Sequence, residues 1–140
     1  MEKNSQQTAT LLNGAKPIPL LLAKQDPHDI AIESLRSLRV SMHILFPAST
    51  NQIIALMGSL SNIGKSFVSL NLAQICADSG KKTLLIDADI RKGRLHHALY
   101  QPKTPGLSEY LEDKHPYAGL IHPIHENLFF ISCGEYTTHP

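Results

Sequence analysis

From Asp29 to about Leu45 the apolar residues recur at helical spacing. Ala31, Leu35, Leu38 and Met42 are separated by four, three and four positions, which predicts a helix with one apolar stripe. Asp26-Pro27 or Asp29 opens it and Pro47 stops it. The rhythm then changes. Gln52-Ile53-Ile54-Ala55-Leu56-Met57 is a short apolar run between Asn51 and Gly58, the pattern of a buried strand. From about Lys65 to Ser79, Phe67, Val68, Leu70, Leu72, Ala73, Ile75 and Cys76 occupy much of a helix's circumference, as in a helix packed on a sheet. Gly80 is its stop. A second strand is predicted over Lys82–Asp87, a short helix from Gly106 to about Glu112, and a third strand over Asn127–Ser132.

Strand, helix and strand in that order form the βαβ unit of a parallel sheet. The fold class is therefore α/β, a parallel sheet flanked by helices. Three strands are few for such a sheet, because both of its faces must be covered. The pattern reads as the amino-terminal half of a domain. Residues 1–26, polar and then broken by Gly14, Pro17 and Pro19, read as a linker or tail, and residues 27–140 as the domain.

Composition narrows the function. The chain has 140 residues, 42% of them hydrophobic and 18% charged, which is globular rather than disordered. Its net charge of +1 gives no broad positive field, which argues against a nucleic-acid partner. Cys76 and Cys133 lack metal-ligand spacing, and Cys76 reads as a small buried hydrophobe. The run from Pro17 to Ala23 is too short to span a bilayer, and Met1-Glu2-Lys3-Asn4 has no signal-peptide character. The chain itself is expected to be soluble, in a reducing cytoplasm.

The chemistry is concentrated where the first strand meets its helix. Ser59-Leu60-Ser61-Asn62-Ile63-Gly64-Lys65-Ser66 ends in Gly-Lys-Ser, placed between a predicted strand and a predicted helix. Such a loop binds phosphate because its amides converge and the helix start adds a positive end. Lys65 would reach the β- and γ-phosphates of a nucleotide and Ser66 would ligand magnesium. Asp87-Ala88-Asp89-Ile90-Arg91 lies at the carboxyl end of the second strand, the edge where open α/β sheets bind ligands. Carboxylates there can hold magnesium directly or through water.

Taken together, these motifs resemble the bacterial tyrosine kinases, the cytoplasmic domains of polysaccharide co-polymerases, a P-loop NTPase-type fold. The resemblance runs from about Leu22 to Gly134. That family's phosphate motif is a glycine, five variable residues and Gly-Lys-Ser/Thr, which Gly58 to Ser66 match. Its second motif, a strand ending Asp-x-Asp-x-Arg, matches Asp87, Asp89 and Arg91. Gly106-Leu107-Ser108 is similar to a further family stretch. Its Glu-x-x-Arg-x-x-Arg, used in subunit contacts, matches Glu33, Arg36 and Arg39.

The resemblance implies transfer of the ATP γ-phosphoryl group to tyrosine in exopolysaccharide or capsule synthesis, with magnesium. It implies catalytic roles for Lys65, Asp87 and Asp89. Nucleotide contacts would come from Gly58, Ser59, Leu60, Ser61, Asn62, Ile63, Gly64, Lys65, Ser66 and Arg91, and metal contacts from Ser66, Asp87 and Asp89. Asp87 is the candidate for activating the tyrosine hydroxyl, and the two aspartates could exchange roles. The implied partners are other kinase subunits or a membrane polysaccharide co-polymerase, joined through the Glu33–Arg39 helix, at the inner face of the inner membrane.

The chain departs from that family in two respects. No hydrophobic run ending in Asp follows Asp87, so the third motif that completes the magnesium site is expected to be missing. The four tyrosines, Tyr100, Tyr110, Tyr117 and Tyr136, are scattered rather than gathered in a tail. The expectation is a truncated kinase domain with little or no activity of its own. The alternatives are a non-catalytic assembly or regulatory module of the same fold, and a partitioning-type ATPase. Leu60 stands where the partitioning ATPases carry a signature lysine, which argues against them. The eight histidines, including the His96-His97 pair and His122 with His125, are expected in solvated loops and caps.

Overall fold

The structure, a computed structural model, describes residues 22–46, 52–60 and 63–136. The expectations for residues 1–21, Pro47, Asn51, Ser61 and Asn62 lie outside the described residues.

Among the described residues, two helices precede the phosphate loop. Within the stretch read as a tail, α1 is a single turn, Leu22–Gln25. Its Ala23 is buried, and the Ala23 N–H donates to Asn71 Oδ1 at 2.9 Å. The long helix α2 covers Ile30–Leu45, capped by Asp29, whose Oδ1 accepts from the Ala31 N–H at 2.7 Å. Its buried side is rotated from the expected stripe. Ile32 and Leu35 are buried and Leu38 is 42% exposed. Arg36 and Arg39, which follow Leu35 on the same side, are only half-buried, and their aliphatic stems extend the covered strip.

Helix α3, Lys65–Asp78, is apolar all round because it is packed on two sides. On one side Leu70, Ala73 and Ala77 meet Leu85, Leu128 and Phe130. On the other, Ile75, Phe67 and Val68 meet Ala23, Ile32 and Leu35. Two polar side chains are wholly buried in it and both are satisfied. Asn71 Nδ2 donates to the Phe67 carbonyl at 2.9 Å, and Gln74 Nε2 donates to Asp78 Oδ1 at 2.6 Å. Cys76, expected to be buried, is half-buried, because it falls between the two packed sides.

The sheet follows: β1 is Thr83–Ile86, β2 His122–His125 and β3 Leu128–Ile131, in the order β1–β3–β2. Between β1 and β2 lie α4, Leu95–Ala98, and α5, Leu107–Leu111. β1 and β3 are parallel, with Leu84 opposite Phe129 and Ile86 opposite Ile131. β2 pairs antiparallel with β3 as a hairpin that the hydrophobic pattern does not announce. Pro123 sits in β2 without cost to the ladder because β2 is an edge strand.

Three expectations are corrected. The strand expected over Gln52–Met57 is absent from the sheet; residues 52–58 carry no assigned secondary structure. Ile53 is 97% exposed and Met57 86% exposed. An apolar run becomes a strand only where a neighbour takes its N–H and C=O groups, and β1–β3–β2 is the only sheet among the described residues. The histidines are not all in solvated loops and caps. His96 is buried on α4, His122 and His125 lie in β2, and His125 Nε2 is 3.0 Å from Gln74 Oε1. The sheet is also mixed rather than wholly parallel.

Candidate nucleotide and metal site

The carboxyl end of α3 lies at the amino edge of the sheet, where Asn127 Nδ2 donates to the Ala77 carbonyl at 3.5 Å and the Asn127 carbonyl accepts from the Thr83 N–H at 2.8 Å. So α3 runs antiparallel to β1, and its amino terminus is directed toward the carboxyl edge, where β1 delivers Asp87. Gly64 is the N-cap of α3 with φ 94°. A Cβ there would touch nothing within 4 Å, so glycine is required by the left-handed backbone and not by space. The Gly64 carbonyl accepts from the Val68 N–H at 2.9 Å, starting the helix and leaving the first-turn amides directed into the loop. Lys65 Nζ donates to the Leu60 carbonyl at 2.8 Å, so the ammonium lies over the loop's own backbone. Ser66 is exposed in the first turn of α3.

Asp87 is only 6% exposed. Its Oδ2 accepts from the Leu95 N–H at 3.0 Å and its Oδ1 from the Asp89 N–H at 3.3 Å. Burial pushes its carboxyl above the usual carboxylate range, opposed by those amides. Asp89 and Arg91 are exposed, and Asp89 Oδ1 accepts from the Lys92 N–H at 2.9 Å. Gly93, which the motif reading passed over, lets this loop close on Asp87. A Cβ on it would stand 2.7 Å from Asp87 Oδ2, 2.6 Å from the Asp89 carbonyl oxygen and 2.6 Å from Cys133 Cβ. Cys133, read from sequence only as lacking metal-ligand spacing, is 1% exposed beside that turn. Burial first, and then the Asp87 charge, raise its thiol pKa, which makes it a packing residue and not a nucleophile.

The structure brings Asp87 and Asp89 together through backbone. Among the described residues no hydrogen bond or ion pair joins either carboxylate to Lys65 or Ser66. Such a pair of carboxylates beside a phosphate loop is an oxygen-donor set suited to magnesium. Because the folded-state pKa of Asp87 is raised, the folded chain holds a proton at pH values where the unfolded chain has lost it. Stability therefore falls as pH rises from the usual carboxylate value through the raised one. Asp87→Asn carries no titrating carboxyl, so it is expected to abolish this part of the pH dependence, read by urea unfolding of the variant and wild type across the acidic range.

A glutamate that the motif reading missed secures the same edge. Glu109 Oε2 accepts from the Gly106 N–H at 2.5 Å and its Oε1 from the Glu135 N–H at 2.9 Å. It thereby ties the start of α5 to the segment after β3. The spacing Gly106-x-x-Glu109 is the second half of a capping box and was its available signal.

Glu33, Arg36 and Arg39 form a separate place. Glu33 Oε1 pairs with Arg36 Nη1, which also donates to the Pro27 carbonyl at 2.7 Å. Arg39 Nε is buried without a hydrogen-bond partner. Arg36 and Arg39 line an open groove of about 190 Å³ with Ile75, Asp78 and Ser79, at the carboxyl end of α3 and so remote from the phosphate loop.

Residues 54–110 match the family model of the CobQ/CobB/MinD/ParA nucleotide binding domain. Fold and loop together thus define a P-loop nucleotide-binding domain. The chain is 40% identical over 131 residues to the tyrosine-protein kinase ptk of Acinetobacter johnsonii, covering 93% of this chain and 18% of that protein. It is 43% identical over 121 residues to the tyrosine-protein kinase wzc of Salmonella typhi, covering 86% of this chain and 17% of that one. Among solved structures, the kinase domain of Escherichia coli tyrosine kinase ETK superposes with a TM-score of 0.80 at 33% identity, covering 96% of this chain and 53% of that one. The BceF tyrosine kinase domain gives 0.74 at 42% identity, covering 84% and 47%. In sequence and in fold the chain is similar to bacterial tyrosine-kinase domains, and it spans about half the length of those solved domains and under a fifth of the curated relatives.

Proposed function

We propose that this chain supplies the phosphate-binding half of an ATP- and magnesium-dependent tyrosine kinase domain serving exopolysaccharide or capsule synthesis. The observation that carries the reading is the left-handed Gly64 cap at the start of α3, followed by Lys65 and Ser66. Loop amides from Gly58 to Ile63 and Lys65 hold the β- and γ-phosphates. Ser66 and Asp89 place magnesium, Asp87 activates the incoming hydroxyl, and Arg91 contacts the nucleotide. Positioning and charge neutralisation are what phosphoryl transfer asks of a protein. The matched relatives are tyrosine-protein kinases, which supports this reaction for the domain as a whole. The site of action is the inner face of the bacterial inner membrane, reached by association with a membrane co-polymerase; no helix among the described residues is long and apolar enough to cross a membrane.

Calorimetry with magnesium and ATP or ADP tests the reading. Wild type is expected to bind, and Lys65→Ala to bind about 10- to 100-fold more weakly, the worth of one charge-assisted contact. Binding unchanged in Lys65→Ala would overturn it. Residues 1–140 alone are expected to bind nucleotide without autophosphorylation, since no second hydrophobic strand of this sequence ends in aspartate after Asp87.

A second reading is favoured by one observation, the unpartnered Arg39 Nε in the groove beside Arg36. In it the chain is a non-catalytic assembly module that associates with kinase subunits through the Glu33–Arg39 helix. Phosphate transfer by the assembled domain separates the two.

A further inference from the structure

The turn after β1 carries both carboxylates of the site and is closed by its own backbone. The Gly93 N–H donates to the Asp89 carbonyl at 2.6 Å, the Lys92 N–H to Asp89 Oδ1 at 2.9 Å and the Asp89 N–H to Asp87 Oδ1 at 3.3 Å. Asp89, Arg91 and Lys92 are exposed along its outer side. Bonds of this kind give a turn its shape, but they do not fix how near it stands to the rest of the fold.

The segment it rests against is fixed from several sides. Cys133, the second residue after β3, is buried between them. The Ser108 N–H donates to the Cys133 carbonyl at 3.1 Å and the Leu107 N–H to the Ser132 carbonyl at 2.8 Å, so α5 pins the segment. Ser132 Oγ donates to the Lys103 carbonyl, and the Asp87 N–H donates to the Ile131 carbonyl at 3.0 Å. Cys133 is thus a stop that does not yield.

Turn and stop meet at Gly93. Its backbone is not left-handed, unlike that of Gly64, Gly80 and Gly134, so glycine is needed there for space alone. The nearest side-chain atoms to a Cβ built on it are Cys133 Cβ and Asp87 Oδ2, at 2.6 Å and 2.7 Å. Cys133 Sγ lies 3.6 Å from the Gly93 carbonyl oxygen, within reach of a weak S–H donor. The Cβ of Cys133, more than its thiol, sets the closest approach of the turn. We infer that Cys133 is a positioning residue for the metal: through Gly93, its side chain holds Asp89 against Asp87 at a spacing that suits magnesium rather than a larger cation. This rests on the reading of the two aspartates as the metal's holders. Magnesium demands near-ideal octahedral geometry at about 2.0–2.1 Å, whereas calcium takes oxygens at about 2.3–2.6 Å in flexible arrangements. A turn pushed off its stop therefore costs magnesium more than calcium.

The test is calorimetry of ADP binding to the full chain without metal, with magnesium and with calcium. In wild type, magnesium is expected to strengthen ADP binding more than calcium does. Gly93→Ala and Cys133→Val crowd the contact from its two sides, and each is expected to cut the magnesium gain about tenfold, the low end for residues that support a metal's ligands. The calcium gain is expected to fall less, and metal-free ADP binding to be unchanged because the phosphate loop is untouched. Cys133→Ala keeps the Cβ and is expected to keep both gains. Urea unfolding selects the variants that are folded and can be compared. The inference is overturned if either crowding variant, shown to be folded, retains the whole magnesium gain, or if Cys133→Ala loses it as Cys133→Val does. It is equally overturned if metal-free binding and both gains fall together, since Cys133 is then structural only. If magnesium gives wild type no gain, the reading of the two aspartates falls and takes the inference with it.

Discussion

Phe130→Ala is expected to remove about 3–5 kcal/mol of stability, the cost of emptying a buried aromatic site. Phe130 is the largest side chain with no exposure, and it lies where β3, β1, α3 and α4 converge. The core it anchors is one-sided, because only one face of β1 is covered, so little surrounding structure can collapse into the space. Small domains are stable by only about 5–15 kcal/mol, so this one substitution takes most of the margin at the low end of that range. Urea unfolding followed by circular dichroism checks it. The variant should show a midpoint shifted far down or no cooperative transition. Phe129→Ala, on the half-buried neighbour, should cost clearly less. Equal costs for the two would show that the core is not centred where the packing places it.

Acid is expected to cost the fold about 3 kcal/mol through one side chain. His96 is 7% exposed on α4, and its Nδ1 has no hydrogen-bond partner. Burial first, then the neighbouring His97 and Lys103, lower its pKa from 6.5 to about 4. The unfolded chain takes up a proton near pH 6.5, whereas the folded chain resists until about 4. Within that window the unfolded state binds more protons. The stabilising contribution is therefore complete above pH 6.5 and is lost as pH falls towards 4, at about 1.4 kcal/mol per pH unit. Urea unfolding of wild type and His96→Leu at pH 7.5 and pH 4.5 measures it. The wild type should lose about 3 kcal/mol more than the variant between the two, and equal losses would clear His96.

The two helices that frame the phosphate loop were legible because each carries its own instructions. Asp29 caps α2, Gly64 starts α3 and Gly80 ends it, and these signals act over a few residues of backbone. β1 and β3 were legible from their short apolar runs. β2 was not: Pro123 and two histidines make a poor strand pattern, and only the edge position beside β3 makes them acceptable. Gln52–Met57 failed in the opposite sense, with a good strand pattern and no neighbour. Gly93 was missed, and the surroundings of Cys133 were not foreseen, because their partners lie across a turn and have no fixed spacing in sequence; Glu109 had the Gly106-x-x-Glu109 spacing as a signal, but its bond to the Glu135 N–H comes only from the fold.

The sequence by itself determined the glycine that starts α3, the apolar strand that leads into Asp87, the boundaries of the two long helices and the resemblance to tyrosine kinases. All of these depend on residue type at short range, where backbone conformation and capping are decided. Only the tertiary structure decided which face of α2 is buried, that His96 is held neutral in a core, that Asp87 is closed in by Gly93, and that one side of β1 stands open. Burial and pairing are properties of what a residue meets. Two short apolar runs, Gln52–Met57 and Leu128–Ile131, end as an exposed run and a core strand because only the second has a strand partner among the described residues.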